Sequence, residues 1–185
     1  GEAKRTISGA SALNPELAYF FDGIGMGVLE GYGLTETTAP AVVNRPGHSR
    51  VGTVGQPIPG TTIRVAHDGE ILIKGIGVFG GYWKREDATA EAFDADGFFR
   101  SGDLGELDED GYLKVTGRKK DIIVTAGGKN VSPGPLEEVV RAGRIVSQCV
   151  VLGDDRPFVG ALVTLDAEEL GPWGAANGLP GLSAD

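Results

Sequence analysis

The sequence predicts a mixed α/β chain in two successive parts, and three observations lead to this. Residues 15–37 read as a helix, a buried strand and a polar loop, which is an order typical of α/β domains. Between residues 52 and 117, short β-prone runs alternate with turns, which predicts a β-rich subdomain. After Gly117, one helical pattern stands among β-prone runs, which predicts a second, smaller α+β unit.

The first part opens with a short strand and a helix. Thr6-Ile7-Ser8 is β-prone and runs into a turn at Gly9. A helix is predicted over 15–23, because Pro15 suits the first helical position after the capping residue Asn14. A strand at 27–30 then leads into a polar, glycine-containing loop. Such a loop after a buried strand is where α/β proteins bind ligands.

The β-rich part is predicted from four runs and two hairpin turns. Strands are expected at 61–65, 70–74, 98–101 and 112–116, with a helix near 86–92. The turns are His67-Asp68-Gly69 and Asp108-Glu109-Asp110-Gly111. Arg100-Ser101-Gly102-Asp103 is predicted to end a strand. Residues 75–80 match the GxGxxG dinucleotide pattern, but the residues that follow do not predict the helix that this pattern requires.

A charged cluster, Arg118-Lys119-Lys120-Asp121, predicts a domain boundary, with domains at 1–117 and 118–185. In the second domain, strands are expected at 121–125, 145–152 and 159–165, with a helix at 133–141. From Gly171 onward, Gly, Pro, Ser and Ala predominate, which predicts a linker and not a helix. Both ends are expected to be cut, so that the chain is a fragment.

Composition excludes several classes of protein. The 17 basic and 26 acidic residues give a net charge of −9, which disfavours a nucleic-acid partner. The single cysteine cannot form an intramolecular disulfide, which favours a reducing, cytoplasmic location. No apolar run approaches the ~18 residues of a membrane span. No serine lies in GxSxG, and no His or Cys residues have metal-ligand spacing. Peripheral membrane contact and the oligomeric state stay open.

Three groups of residues suit phosphate and ribose binding. Tyr32, Thr35 and Glu36 offer a flat ring, a hydroxyl and a carboxylate within one loop. Asp103 could accept hydrogen bonds from a ribose diol. The cations from Arg118 onward are followed closely by Gly127-Gly128-Lys129-Asn130, which lets backbone pass near a ligand. Taken singly, each group also fits an ordinary loop, a strand-end cap or a solvated turn.

Taken in order, the motifs are similar to those of one enzyme family. They are Ser8-Gly9-Ala10, Glu30-Gly31-Tyr32-Gly33-Leu34-Thr35-Glu36-Thr37, Gly69-Glu70-Ile71-Leu72-Ile73-Lys74-Gly75 with Gly80-Gly81-Tyr82-Trp83, Arg100-Ser101-Gly102-Asp103-Leu104-Gly105, and Gly117-Arg118-Lys119-Lys120-Asp121 with Gly127-Gly128-Lys129-Asn130. The chain resembles the adenylate-forming (AMP-binding) acyl-CoA synthetases, in particular bacterial long-chain fatty-acid–CoA ligases. The resemblance implies the end of the large α/β domain with its β-rich, barrel-like subdomain, followed by an incomplete C-terminal lid domain.

The resemblance also implies a reaction and its cofactors. A carboxylate would react with ATP to give an acyl-adenylate and pyrophosphate, and coenzyme A would then displace AMP. ATP, Mg²⁺ and coenzyme A are the implied cofactors, and a fatty acid is the implied substrate. Alternatives are an enzyme that loads the acyl group onto a carrier protein and a non-catalytic nucleotide-binding module.

By position, the resemblance implies a nucleotide-binding set made up of Ser8, Gly9, Ala10, Glu30, Gly31, Tyr32, Gly33, Thr35, Asp103 and Arg118. Within it, Tyr32 would stack on adenine, Thr35 would bind the α-phosphate and Asp103 the ribose hydroxyls. The implied catalytic set is Thr35, Glu36, Arg118 and Lys120, with Glu36 also holding Mg²⁺. Lys120 would be the hinge residue of the lid. The coenzyme A channel would be lined by Gly127, Gly128 and Lys129.

Two parts of the family pattern are absent from this chain. They are the Ser/Thr/Gly-rich phosphate loop with its lysine, and the catalytic lysine near the family's C-terminus. We therefore expect that the chain does not complete adenylation by itself.

Overall fold

The computed structural model describes residues 6–9 and 13–182, and the chain divides into two compact units. They are Gly1–Lys119 and Lys120–Asp185. The division lies two residues beyond the boundary expected from the sequence. The reason is that Arg118 is the last residue of a strand of the first unit, and the Lys119 ammonium pairs with carboxylates of that unit.

The first unit begins with a small mixed sheet. Its strands β1 (Thr6–Ser8), β2 (Val28–Tyr32), β3 (Val42–Val43) and β4 (Gln56–Pro57) are hydrogen-bonded in that order. β1 and β2 are parallel, and helix α1 (Pro15–Gly23) connects them. The side chain of Asn14 accepts a hydrogen bond from the Glu16 amide at 2.8 Å, so the predicted helix and its cap are confirmed.

The second sheet is a four-stranded antiparallel meander. It consists of β5 (Thr61–Val65), β6 (Glu70–Gly75), β7 (Phe99–Leu107) and β8 (Leu113–Arg118), with helix α2 (Glu86–Ala92) between β6 and β7. Both predicted hairpins are confirmed by these pairings. The core of the unit is a cluster of buried apolar residues from both sheets, namely Ala41, Val42, Ile63, Ile71, Ile73, Phe99 and Leu113.

Strand β7 corrects one expectation from the sequence, because Arg100-Ser101-Gly102-Asp103 does not end a strand. The strand continues to Leu107 by way of a bulge in which Ser101, Gly102 and Asp103 lie opposite Ile71 alone. Gly102 has φ +72°, a left-handed conformation that glycine adopts without steric cost. A bulge of this kind turns the following side chain, here Asp103, without breaking the strand.

The second unit contains two antiparallel pairs and two helices. β9 (Ile123–Val124) pairs with β10 (Asn130–Val131), and β11 (Val146–Leu152) pairs with β12 (Gly160–Leu165). The strand predicted at 121–125 is therefore only two residues long. Helix α3 (Pro133–Arg141) packs on β11, and the unit's core cluster contains Ile123, Cys149 and Val151.

A second correction concerns the predicted linker. Helix α4 (Ala167–Ala176) occupies its first part, although Pro172 lies inside the helix. Asp166 caps it by accepting hydrogen bonds from the amides of Glu168 and Glu169 at 2.9 and 3.2 Å. Leu170 is almost fully buried, so its packing and the cap outweigh the unfavourable local composition. Within the described ranges, the structure has no helix long and apolar enough to cross a membrane.

Candidate active site

The loop after β2 presents Thr35 and Glu36 on a short 3₁₀ turn, Thr35–Thr37. The Thr37 hydroxyl stabilises the turn, since it accepts from the Leu34 amide at 2.9 Å and donates to the Leu34 carbonyl at 3.0 Å. A Cβ at Gly33 would lie 3.0 Å from the Ala41 amide nitrogen, so a larger residue would push this loop outward. Thr35 is exposed at the start of the turn, and its side chain is open to a ligand.

A second loop, residues 75–82, supports this turn. The Phe79 amide donates to the Glu36 carbonyl at 2.7 Å, and a Cβ at Gly77 would lie only 2.7 Å from the Thr37 carbonyl oxygen. The Tyr82 hydroxyl donates to Glu36 Oε1 at 3.0 Å. The supporting role of this loop was missed in the sequence, where its glycines were considered as a dinucleotide pattern and as part of the family motifs but were given no role.

Two residues distant from each other in sequence, Tyr32 and Arg118, meet at Asp103. Its Oδ2 accepts from the Tyr32 hydroxyl at 2.6 Å, and its Oδ1 accepts from Arg118 Nε at 3.0 Å. Asp103 and Arg118 are register partners on β7 and β8, and the bulge turns the carboxylate toward β2. Burial and then the hydrogen bond to Asp103 raise the pKa of Tyr32 well above its usual range. The phenol therefore stays protonated and donates to a carboxylate that is only 7% exposed.

The remaining residues of the expected nucleotide set lie beside β2. Ser8 is the register partner of Glu30, whose buried carboxylate accepts from the Leu13 amide at 3.0 Å. This bond ties the segment before α1 to the strand. A Cβ at Gly31 would lie 3.4 Å from the Val42 carbonyl oxygen, and one at Gly9 would meet only ordinary contacts. Ala10 lies outside the described residues.

Glu70, at the start of β6, is a buried carboxylate that the sequence reasoning gave no role. Its Oε1 accepts from the Gly102 amide at 3.1 Å, while Lys119 Nζ at 3.0 Å and Arg100 Nη1 at 3.6 Å approach its Oε2. Lys119 also donates to Asp68 Oδ2 at 2.7 Å. The available signal was an acidic residue directly before the apolar run Ile71-Leu72-Ile73.

Lys120 and the three residues expected at the coenzyme A channel belong to the second unit. Gly127, Gly128 and Lys129 form the turn between β9 and β10, where the Gly128 amide donates to the Thr125 carbonyl at 2.8 Å. Gly128 has φ +75°, so this turn requires a residue that tolerates the left-handed region. Lys120 lies in a 3₁₀ turn, Lys119–Asp121.

The 35–37 turn supplies one carboxylate, that of Glu36, as a ligand for a metal ion. In the part of the chain that the structure describes, no three side chains among His, Cys, Asp and Glu come together as a metal site. Mg²⁺ in nucleotide enzymes is usually held by one or two carboxylates together with substrate phosphates. Glu36, half-buried beside the exposed Thr35, fits such a shared site.

The first unit thus combines a buried aspartate paired with an exposed arginine, a tyrosine that donates to the same aspartate, and a Thr-Glu turn directly after the tyrosine's strand. This combination, on this arrangement of strands, defines an adenylate-forming fold.

Comparison with known proteins places the chain in a family. Residues 1–83 match the family described as AMP-binding enzyme, and residues 120–172 match the AMP-binding enzyme C-terminal domain. The chain belongs to the AMP-binding enzymes.

Two relatives illustrate the similarity. The chain is 50% identical over 177 residues to long-chain-fatty-acid–CoA ligase FadD15 of Mycobacterium bovis, covering 96% of this chain and 29% of that protein. It is 38% identical over 170 residues to long-chain-fatty-acid–CoA ligase ACSBG1 of Homo sapiens, covering 89% and 24%. The chain therefore spans less than a third of the length of these relatives.

Solved structures agree with this placement. The o-succinylbenzoate CoA synthetase MenE of Bacillus subtilis, in complex with its acyl-adenylate intermediate, superposes with a TM-score of 0.80 at 28% identity, covering 94% of this chain and 41% of that one. ATP-bound MatB of Rhodopseudomonas palustris gives a TM-score of 0.74 at 37% identity, covering 87% and 34%.

Proposed function

We propose that this chain forms part of an ATP-dependent long-chain fatty-acid–CoA ligase and supplies the ribose- and magnesium-facing side of its nucleotide site. The observation that carries the proposal is the meeting of Tyr32, Asp103 and Arg118 in the first unit. The names of the relatives with 50% and 38% identity support the class of substrate.

Asp103 is the residue proposed to bind the ribose hydroxyls. Each carboxylate oxygen can accept more than one hydrogen bond, so the bonds from Tyr32 and Arg118 leave acceptor positions for a diol. The Arg118 guanidinium orients the carboxylate through its Nε–H group. Tyr32 is proposed to stack its ring on adenine while its hydroxyl positions Asp103.

Thr35 and Glu36 are proposed to act on the phosphates. The Thr35 hydroxyl can donate to an α-phosphate oxygen, and Glu36, oriented by Tyr82, would hold Mg²⁺. When bound, the metal ion neutralises phosphate charge, which is the main requirement of this kind of substitution at phosphorus. The residues of the two loops then contribute alignment, because the 75–82 loop keeps the 3₁₀ turn in place.

The second unit is proposed to act after adenylation. Lys120 would be the hinge about which this unit rotates, and Gly127, Gly128 and Lys129 would line the channel for coenzyme A. Glycines in this turn would let backbone approach the thiol-bearing arm closely. A cytoplasmic location is proposed from the single free cysteine, Cys149.

The test uses the full-length protein that contains this chain. AMP release would be measured with ATP, Mg²⁺ and coenzyme A across carboxylic acids from acetate to stearate. Release that depends on both coenzyme A and a long-chain acid supports the proposal. An acyl-adenylate that forms without transfer to coenzyme A would point to a carrier-protein acceptor, and no turnover with any acid would leave only a nucleotide-binding module.

The role of Asp103 is tested in the same assay. Asp103→Asn keeps the shape and removes the charge, so we expect KM for ATP to rise by about tenfold or more, the effect of losing charged hydrogen bonds. Asp96→Asn, on an exposed turn of the same unit, is the matched control. Equal KM values for the two variants would refute the ribose-binding role.

A further inference from the structure

The Glu70 carboxylate links two segments that the proposed function uses. Through Oε1 it holds the Gly102 amide, next to the proposed ribose-binding residue Asp103. Through Oε2 it holds Lys119, the last residue of the first unit. Its side chain is 5% exposed, so it is a fixed point that holds both the bulge of β7 and the residue that follows β8.

The Lys119 side chain is 45% exposed, but its ammonium is held by two carboxylates. Its ammonium donates to Asp68, in the β5–β6 hairpin turn, at 2.7 Å and to Glu70, the first residue of β6, at 3.0 Å. The hydrogen bonds to Asp68 and then to Glu70 raise the pKa of Lys119, so the ammonium stays charged. The neighbouring residue, Lys120, already belongs to the second unit.

We propose that Lys119 is a positioning residue that anchors the end of the first unit, so that the movable link between the units begins at Lys120. The anchor keeps the Arg118 end of β8 in register with Asp103 while the second unit turns. The consequence for the reaction rests on the proposed function, whereas the anchor itself does not.

The physical basis is the cost of freeing a buried carboxylate from its lysine. Without Lys119, Glu70 would keep only the Gly102 amide and the longer contact to Arg100 at 3.6 Å. The backbone hydrogen bonds at residues 117–119 would then break more often, and these residues would become part of the movable link. With a longer link, the second unit can take up a wider range of positions at each end of its rotation.

The test compares three variants of the full-length protein. Lys119→Met removes the ammonium, Lys119→Arg keeps the charge, and Lys114→Met removes the same charge from an exposed position on β8, the strand that ends just before Lys119. Hydrogen exchange is followed on the amides of residues 116–121 in the protein without substrates. We expect Lys119→Met to exchange about fivefold faster or more, which corresponds to about 1 kcal/mol. Lys119→Arg and Lys114→Met should resemble the unmodified protein.

A second arm measures the two half-reactions separately. We expect Lys119→Met to slow acyl transfer from the adenylate to coenzyme A by about fivefold, while the adenylation rate changes less than about twofold, since transfer follows the rotation. Equal exchange in Lys119→Met and Lys114→Met would overturn the anchor. If amide exchange is faster in Lys119→Met but the ratio of the acyl-transfer rate to the adenylation rate is unchanged, the role of the anchor in the reaction is overturned. A protein that adenylates no acid would refute the proposed function, and the exchange arm would still decide the anchor.

Discussion

Removing the hydroxyl of Tyr32 tests the central contact of the candidate site. Tyr32→Phe keeps the ring and deletes the 2.6 Å hydrogen bond to Asp103. A hydrogen bond to a charged acceptor contributes ~1.5–3 kcal/mol, so we expect the free energy of unfolding of the second sheet to fall by about that amount. This loss of stability is smaller than the loss expected when a buried carboxylate has no ion-pair partner, because Arg118 still pairs with Asp103.

The matched control is Tyr112→Phe. Tyr112 is buried in the first unit, where Tyr32 is half-buried, and its hydroxyl donates to a neutral acceptor, the His48 carbonyl, at 3.2 Å. Its removal should cost only ~0.5–1.5 kcal/mol. Amide exchange of β7 and β8 as a function of urea reports the unfolding of this sheet separately from the second unit.

The two variants also differ in their effect on nucleotide affinity. In Tyr32→Phe the Asp103 carboxylate loses one of its two side-chain donors, so the affinity of the full-length protein for ATP should fall. In Tyr112→Phe it should stay unchanged. If Tyr32→Phe cost no more stability than Tyr112→Phe, the Tyr32–Asp103 bond would not exist in solution, and the reasoning about the site would be refuted.

Two further predictions concern the supporting loop and a hairpin turn. Gly77→Ala would place a Cβ 2.7 Å from the Thr37 carbonyl oxygen, so the 35–37 turn must shift. We expect the free energy of unfolding to fall by ~1–3 kcal/mol, measured by urea unfolding. We also expect KM for MgATP to rise, measured by steady-state kinetics. Hydrogen bonds from turn amides lower the pKa of Asp108, so its contribution to stability is present above the unfolded value of about 4 and is lost as pH falls through the lower folded value. Asp108→Asn should therefore flatten the loss of stability between about pH 5 and pH 3, measured by urea midpoints.

Both predictions have controls within the same unit. Gly80→Ala adds a methyl group where no atom lies within 4 Å of the new Cβ, so it should change neither stability nor KM. A Gly77→Ala variant indistinguishable from Gly80→Ala would contradict the close packing of the two loops. Glu106→Gln, on exposed β7 surface, should leave the acid profile unchanged. An Asp108→Asn profile as steep as that of Glu106→Gln would show that the turn aspartate is not coupled to folding.

Local signals predicted most elements because they act within a few residues. The helices at Pro15–Gly23, Glu86–Ala92 and Pro133–Arg141 follow from periodicity and from residues at their starts. The β5–β6 and β7–β8 hairpins follow from acidic-glycine turns. Helix α4 was missed, because its stability comes from the buried Leu170 and a cap that overcome an internal proline.

What the sequence by itself determined is the family, the order of its motifs and the residue types able to bind ribose, phosphate and Mg²⁺. What only the tertiary structure decided is which of them meet. Tyr32 and Asp103 are 71 residues apart and touch because a glycine bulge in β7 turns the carboxylate toward β2. Glu70 and Lys119 are 49 residues apart and meet where β6 begins and β8 ends. Such contacts depend on register and on a single left-handed glycine, and neither leaves a periodic signal in the chain, since both are set by pairing between distant strands.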